Sequence, residues 1–112
     1  MNDFKFKNNV LHVENVSINN LIKKFDTPFY CYSANTIIGK INEFKKYFDN
    51  SNIIICYAVK ANPNIAILKI LSKLGCGAEV VSIGELLRTL KAGISNNKIV
   101  FSGVGKTSEE LE

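Results

Sequence analysis

Apolar and polar positions along the chain switch between two periods, and the switches mark out its elements. Residues 10 to 16 read as a short strand, after which Ser17 is placed to cap a helical stretch with Ile18, Leu21, Ile22 and Phe25 at helical spacing. The chain turns at Pro28 and extends through Phe29, Tyr30, Cys31 and Tyr32, a β-prone set. Ser33 caps the next predicted helix, whose Ile37, Ile41, Phe44 and Phe48 share one face while Lys40, Glu43 and Lys45 lie on the other. The polar run 49–52 ends it.

From residue 53 onward one unit recurs in type, though not in letters. An unbroken apolar run, 53–59, stops at Lys60 and leads to Asn62-Pro63, read as the N-cap and first residue of a helix that ends at Gly75. A second strand, 78–81, runs into Ser82 and Glu85, spaced as a capping box, before a helix carrying Leu86, Leu87 and Leu90 that stops at Gly93. A third strand, 98–102, precedes another capping box from Thr107 to Glu110. The strands begin 20 to 25 residues apart, which suits right-handed βαβ units in a parallel sheet. The fold class is therefore α/β. Three such strands cannot close an eight-stranded barrel of roughly 250 residues. The chain is expected to be a truncated, N-terminal portion of something larger, with Glu112 in the first turns of a helix.

Composition narrows the partners. The 112 residues are 46% apolar and 21% charged, an ordinary globular balance. The net charge of +4 comes from lysines scattered along the chain without interleaved aromatics, so no nucleic-acid surface is expected. No apolar run approaches the roughly 18 residues that span a bilayer, and the first ten residues lack the apolar core of a secretion signal. No membrane partner is expected, and the cytoplasm is the expected compartment. Cys31, Cys56 and Cys76 form an odd set without metal-ligand spacing and read as free thiols, two of them in buried strands. His12 has no neighbouring ligand and reads as a structural histidine, so no metal site is expected.

Lys60 is the position where chemistry enters. Ligands of parallel sheets gather at the C-terminal ends of the strands, and Lys60 stands at such an end. One reading is a solvated lysine that happens to finish a strand. The other is an amine made nucleophilic by apolar surroundings, able to form a Schiff base with an aldehyde cofactor. Residue type and position leave both open.

Four stretches bear on the choice: "TPFYCYS" (27–33), "YAVKANPN" (57–64), "GCGAEVVSIGEL" (75–86) and "KIVFSGVGKT" (98–107). In order and spacing they resemble the N-terminal part of the diaminopimelate decarboxylases, fold-type III pyridoxal-phosphate enzymes related to ornithine and arginine decarboxylases. The resemblance covers about residues 20 to 112. "YAVKANPN" is shared by the wider decarboxylase group, and its combination with "VVSIGEL" and "FSGVGKT" points to the diaminopimelate branch. Pro63-Asn64 departs from the run usual in alanine racemases.

The resemblance implies the N-terminal part of a (β/α)8 barrel of the alanine racemase-like kind. Residues 1–33 would contribute to a second, β-rich domain and residues 34–112 would form the first βα units of the barrel. It implies pyridoxal 5'-phosphate as cofactor, with Lys60 as both its covalent anchor and the catalytic amine. It further implies a small amino-acid substrate, meso-2,6-diaminopimelate, decarboxylated to L-lysine in the last step of lysine biosynthesis, and a homodimeric full-length protein. Ala58 is expected to touch the cofactor ring by being small. Glu79 stands 19 residues after Lys60, where the family usually has Asp, and its extra methylene alters the reach of the carboxylate. Glu85 aligns with a carboxylate near the active site of related decarboxylases, though its capping-box position already explains it.

"SGVGKT" is not a nucleotide-binding loop. Counting back from Gly105 over four residues reaches Val100, where such a loop needs glycine. The general acid, ring-nitrogen partner and phosphate-binding glycines are expected from later sequence, so residues 1–112 alone should be inactive and expose apolar faces. Other members of the fold, acting on ornithine, arginine or carboxynorspermidine, stay open as alternatives. So does a non-enzymatic pyridoxal-phosphate carrier barrel, although about 50 residues before the first barrel strand favour the two-domain enzyme.

Overall fold

The computed structural model describes residues 3–48 and 52–111. The chain divides into two compact units, Met1–Tyr47 and Phe48–Glu112.

The first unit opens with an antiparallel meander of β1 (Phe4–Lys7), β2 (Val10–Val13) and β3 (Val16–Ser17). Only part of it was expected. Lys7 pairs with Val10 across a two-residue turn at Asn8 and Asn9, whose φ values of 49° and 61° are the left-handed pair such hairpins require. A short helix α1 (Ile18–Ile22) follows, its first turn capped by the Ser17 hydroxyl accepting from the Asn20 amide. Residues 29–32 form no strand: β-prone side chains make a strand only where a neighbour pairs with them, and none does among the described residues. Helix α2 (Ala34–Lys46) is capped by Ser33 as its sequence indicates, and ends before the expected stop, whose residues 49–51 lie outside the described ones. His12 Nδ1 lies 2.9 Å from the Val10 carbonyl oxygen, consistent with a structural role.

The second unit carries a parallel sheet of β4 (Cys56–Ala58), β5 (Gly77–Val80) and β6 (Ile99–Phe101) in that order. Helices α3 (Ile65–Lys73) and α4 (Ile83–Lys91) connect the strands, and α5 (Ser108–Leu111) begins after β6. Val59, Leu68, Leu71, Ala78 and Val80 are shut off from solvent and form the core. Burying an aliphatic side chain of this size is worth about 1.5–3 kcal/mol. Both long helices end in the same way. Gly75 and Gly93 take φ of 76° and 86°, and the next amides, of Cys76 and Ile94, reach back to Leu71 and Thr89 carbonyls. The buried Cys76 and Ile94 then seal each end apolarly.

Three expectations need correction. The strand read over 53–59 is regular only over 56–58, because the parallel ladder with β5 extends no further. Helix α3 is capped not by Asn62 but by Asn64, whose Oδ1 accepts from the Ala66 amide, while Asn62 Oδ1 accepts from the Asn64 amide. Two successive side-chain turns thus move the helix start two residues along. All three cysteines are free thiols, but Cys56 is exposed and Cys31 only half-buried and in no strand, so neither is the buried strand thiol expected. The helix stretch assigned to Glu112 falls on a residue outside the described ones.

Candidate active site

The register of the parallel sheet brings two predicted positions, Ala58 and Glu79, into one row. Ala58 pairs with Glu79, and Glu79 with Val100, so the three form one row across β4, β5 and β6. In-register neighbours share a face. That face is opposite the one carrying Ala78 and Val80, which are wholly buried, and Val100 on it is 51% exposed. The row therefore lies on the side of the sheet that the helices of this unit leave uncovered.

Below Glu79, Gly77 has no side chain and tolerates none: a Cβ there would sit 2.3 Å from the Lys98 carbonyl oxygen and 2.9 Å from Cys56 Sγ.

Beyond the row, the chain leaves each strand at the same, C-terminal edge. After Ala58 it tightens into a 3-10 turn, Val59–Ala61, closed by the Asn62 amide donating to the Val59 carbonyl at 3.1 Å. Lys60 sits in the middle of that turn. Val59 before it is fully buried, and Lys60 itself is exposed. The apolar enclosure expected around Lys60 is thus not supplied by the described residues. Its amine makes no hydrogen bond or ion pair among them. Lys106, at the same edge, behaves differently: it donates to the Gly103 carbonyl at 2.7 Å and lies 5.8 Å from the Phe101 ring centre.

Glu79 is half-buried and its Oε1 accepts a hydrogen bond from the Ser102 hydroxyl. Ser102 was not singled out from the sequence, because nothing local says that a residue past β6 meets one in β5. Glu85 has the structural role that its spacing suggests, with one adjustment. The Ser82 hydroxyl accepts from the Glu85 amide at 3.3 Å, but the Glu85 carboxylate accepts from the Val81 amide, one residue before the cap. The second capping box closes in both directions between Thr107 and Glu110, and Glu110 also accepts from the Ile83 amide. The stretch 102–107 is a bend leading into α5.

Comparison with known proteins bears on this geometry. Residues 34–112 match the pyridoxal binding domain of the pyridoxal-dependent decarboxylases. The chain is 44% identical over 111 residues to a diaminopimelate decarboxylase of Haemophilus influenzae, covering 99% of this chain and 27% of that protein. A crystal structure of diaminopimelate decarboxylase from M. jannaschii superposes with a TM-score of 0.92 at 36% identity, over 97% of this chain and 26% of that one. The Helicobacter pylori diaminopimelate decarboxylase complexed with L-lysine superposes with a TM-score of 0.79 at 46% identity, over 84% and 24%. The chain spans about a quarter of the length of these relatives.

Proposed function

The chain belongs to the pyridoxal-dependent decarboxylase family, and from that membership we propose that it is the N-terminal portion of an enzyme that decarboxylates meso-2,6-diaminopimelate to L-lysine. The observation that carries the reading is Lys60. A primary amine with no hydrogen bond or ion pair among the described residues stands at the C-terminal edge of a parallel sheet, two residues past a row containing Ala58 and Glu79. The names of the relatives, one of them crystallised with L-lysine, support the choice of substrate.

The residues present fit pyridoxal 5'-phosphate. An aldehyde needs a primary amine with no competing partner, and Lys60 Nζ meets that requirement. A flat ring needs low side chains beneath it, and Ala58 is a small residue in the row. When bound, the cofactor supplies a sink for the electron pair left by the departing carboxylate. Lys60 would hold it through Nζ, which makes no hydrogen bond or ion pair among the described residues. Ala58, being small, would leave room for the ring. Glu79 would offer a carboxylate in the same row, suited to a cationic or donor group. By the same reading residues 1–33 belong to a β-rich second domain and residues 34–112 open the barrel. The full-length protein is then a cytoplasmic homodimer that binds neither nucleic acid nor membrane.

The test uses the full-length protein. Borohydride reduction in the presence of pyridoxal phosphate, followed by peptide mapping, should place the label on Lys60. Carbon dioxide release should be fast from diaminopimelate and slow from ornithine. Lys60→Ala should remove the label and reduce turnover to background. A label on another lysine, or none, ends the assignment of Lys60. Faster release from ornithine moves the enzyme to another branch of the family.

A further inference from the structure

We propose that Ser102 is a positioning residue of the cofactor site, holding the Glu79 carboxylate in place on the uncovered face of the sheet. The inference rests on the reading that this face receives pyridoxal phosphate, and it adds a residue and a role to it.

Three observations lead there. First, the backbone of Ser102 is fixed: its amide donates to the Val80 carbonyl at 2.9 Å, so the β5–β6 ladder continues one bond beyond the last regular residue, Phe101. Second, Ser102 lies two residues past Val100, the in-register partner of Glu79. The period of two along a strand returns its side chain to Glu79's face. Third, the hydroxyl donates to Glu79 Oε1 across the strands, and both residues are half-buried.

A glutamate has three side-chain torsions, and on an open face it would sample several rotamers. One bond from a hydroxyl mounted on the neighbouring strand selects among them. It occupies Oε1 and leaves Oε2 without a hydrogen-bond partner among the described residues. A carboxylate held at one oxygen and open at the other is suited to receive a cationic or donor group of a ligand. A serine serving only to satisfy a buried polar group would be expected on the helix-covered face, where water is excluded. Ser102 is on the other one.

The test is made in the full-length protein with pyridoxal phosphate as the probe, by titrating the visible absorbance of the bound cofactor and recording its pH dependence. Ser102→Ala should weaken cofactor binding about tenfold, the scale of one hydrogen bond to a charged group, and displace the midpoint of the pH profile. Ser102→Thr, which keeps the hydroxyl, should restore both. Glu79→Gln combined with Ser102→Ala should be no worse than Glu79→Gln alone. Ser102→Cys, of similar size but a weak donor, is read in the same way if the alanine variant is insoluble. Wild-type affinity and an unchanged pH profile in the hydroxyl-free variants overturn the role of Ser102, whatever happens to thermal stability. A wild-type protein that binds no pyridoxal phosphate, or binds it with no label on Lys60, overturns instead the reading on which it rests.

Discussion

In the sheet unit Val59, Leu68, Leu71, Ala78 and Val80 are closed to solvent, whereas the meander unit buries only Val13 and Ser33 among its described residues. What the meander unit has instead is a set of directed polar links. The Ser33 hydroxyl lies within hydrogen-bonding reach of two carboxylates, 2.8 Å from Glu14 Oε1 and 3.2 Å from Asp3 Oδ2. Glu14 also accepts from the Asn35 amide, and Asp3 from the Thr36 hydroxyl. Two strand-side carboxylates therefore meet the unsatisfied amides and favourable dipole at the start of α2. Non-directional burial sets the first arrangement and a few oriented bonds set the second. The two should fail differently.

The largest expected effect lies in the apolar core. Leu68→Ala removes a side chain with no solvent exposure from α3 and should destabilise the sheet unit by about 2–5 kcal/mol, through lost burial and the cavity left behind. Amide exchange measured on the full-length protein should quicken at Ala78 and Val80 by roughly thirtyfold or more. Protection unchanged at those two amides would mean that the core of this unit is not what holds β5.

A smaller effect is expected in the polar cluster. Glu14→Ala removes the acceptor shared by Ser33 and Asn35 and should weaken the tie between the meander and α2 by about 1–2 kcal/mol. The readout is faster exchange at Asn35 and Thr36, by roughly fivefold to thirtyfold. Glu14 holds a φ of 54°, so Glu14→Gly sharpens the comparison: it loses the same bonds while relieving the backbone. A glycine variant that exchanges more slowly than the alanine variant separates backbone strain from the lost acceptor.

The same contrast explains what could be read from the letters. The caps at Ser17, Ser33, Ser82 and Thr107, and the stops at Gly75 and Gly93, involve residues at most a few positions apart, so local spacing is enough to find them. Lys60 is different: its residue type and position leave its role open, and only the resemblance carried by four stretches of the chain bears on it. Strand β1 left a signal that was passed over: Phe4 and Phe6 alternate with lysines ahead of two asparagines at a hairpin turn. The shift of the α3 cap from Asn62 to Asn64 was harder, since either asparagine can cap. Both stand in extended backbone, as a cap must, and the difference lies in the bond made: Asn64 accepts from the Ala66 amide two residues on, whereas Asn62 accepts from the Asn64 amide. The Glu79–Ser102 bond could not be read at all, because it depends on the register between two strands, and no single segment carries that register.

The smallest effect concerns the single ion pair seen among the described residues, Lys40 to Glu43 at 2.9 Å on the exposed side of α2. Their mutual hydrogen bond and attraction raise the lysine's pKa and lower the glutamate's. The signs fix a window. Any stabilisation from Glu43 is present above its ordinary carboxylate range and fades as pH falls through its depressed value. Any from Lys40 is present below the ordinary ammonium range and fades as pH rises through its raised value. At neutral pH both would act, yet both side chains are more than half exposed, and water and salt screen such a pair almost completely. Lys40→Ala should accordingly leave amide exchange along α2 unchanged at pH 7, in low salt and in high. A measurable loss of protection that disappears in salt would show that this exposed pair acts alongside the Glu14 cluster. The meander unit would then rest on charge pairing more broadly than its buried residues indicate.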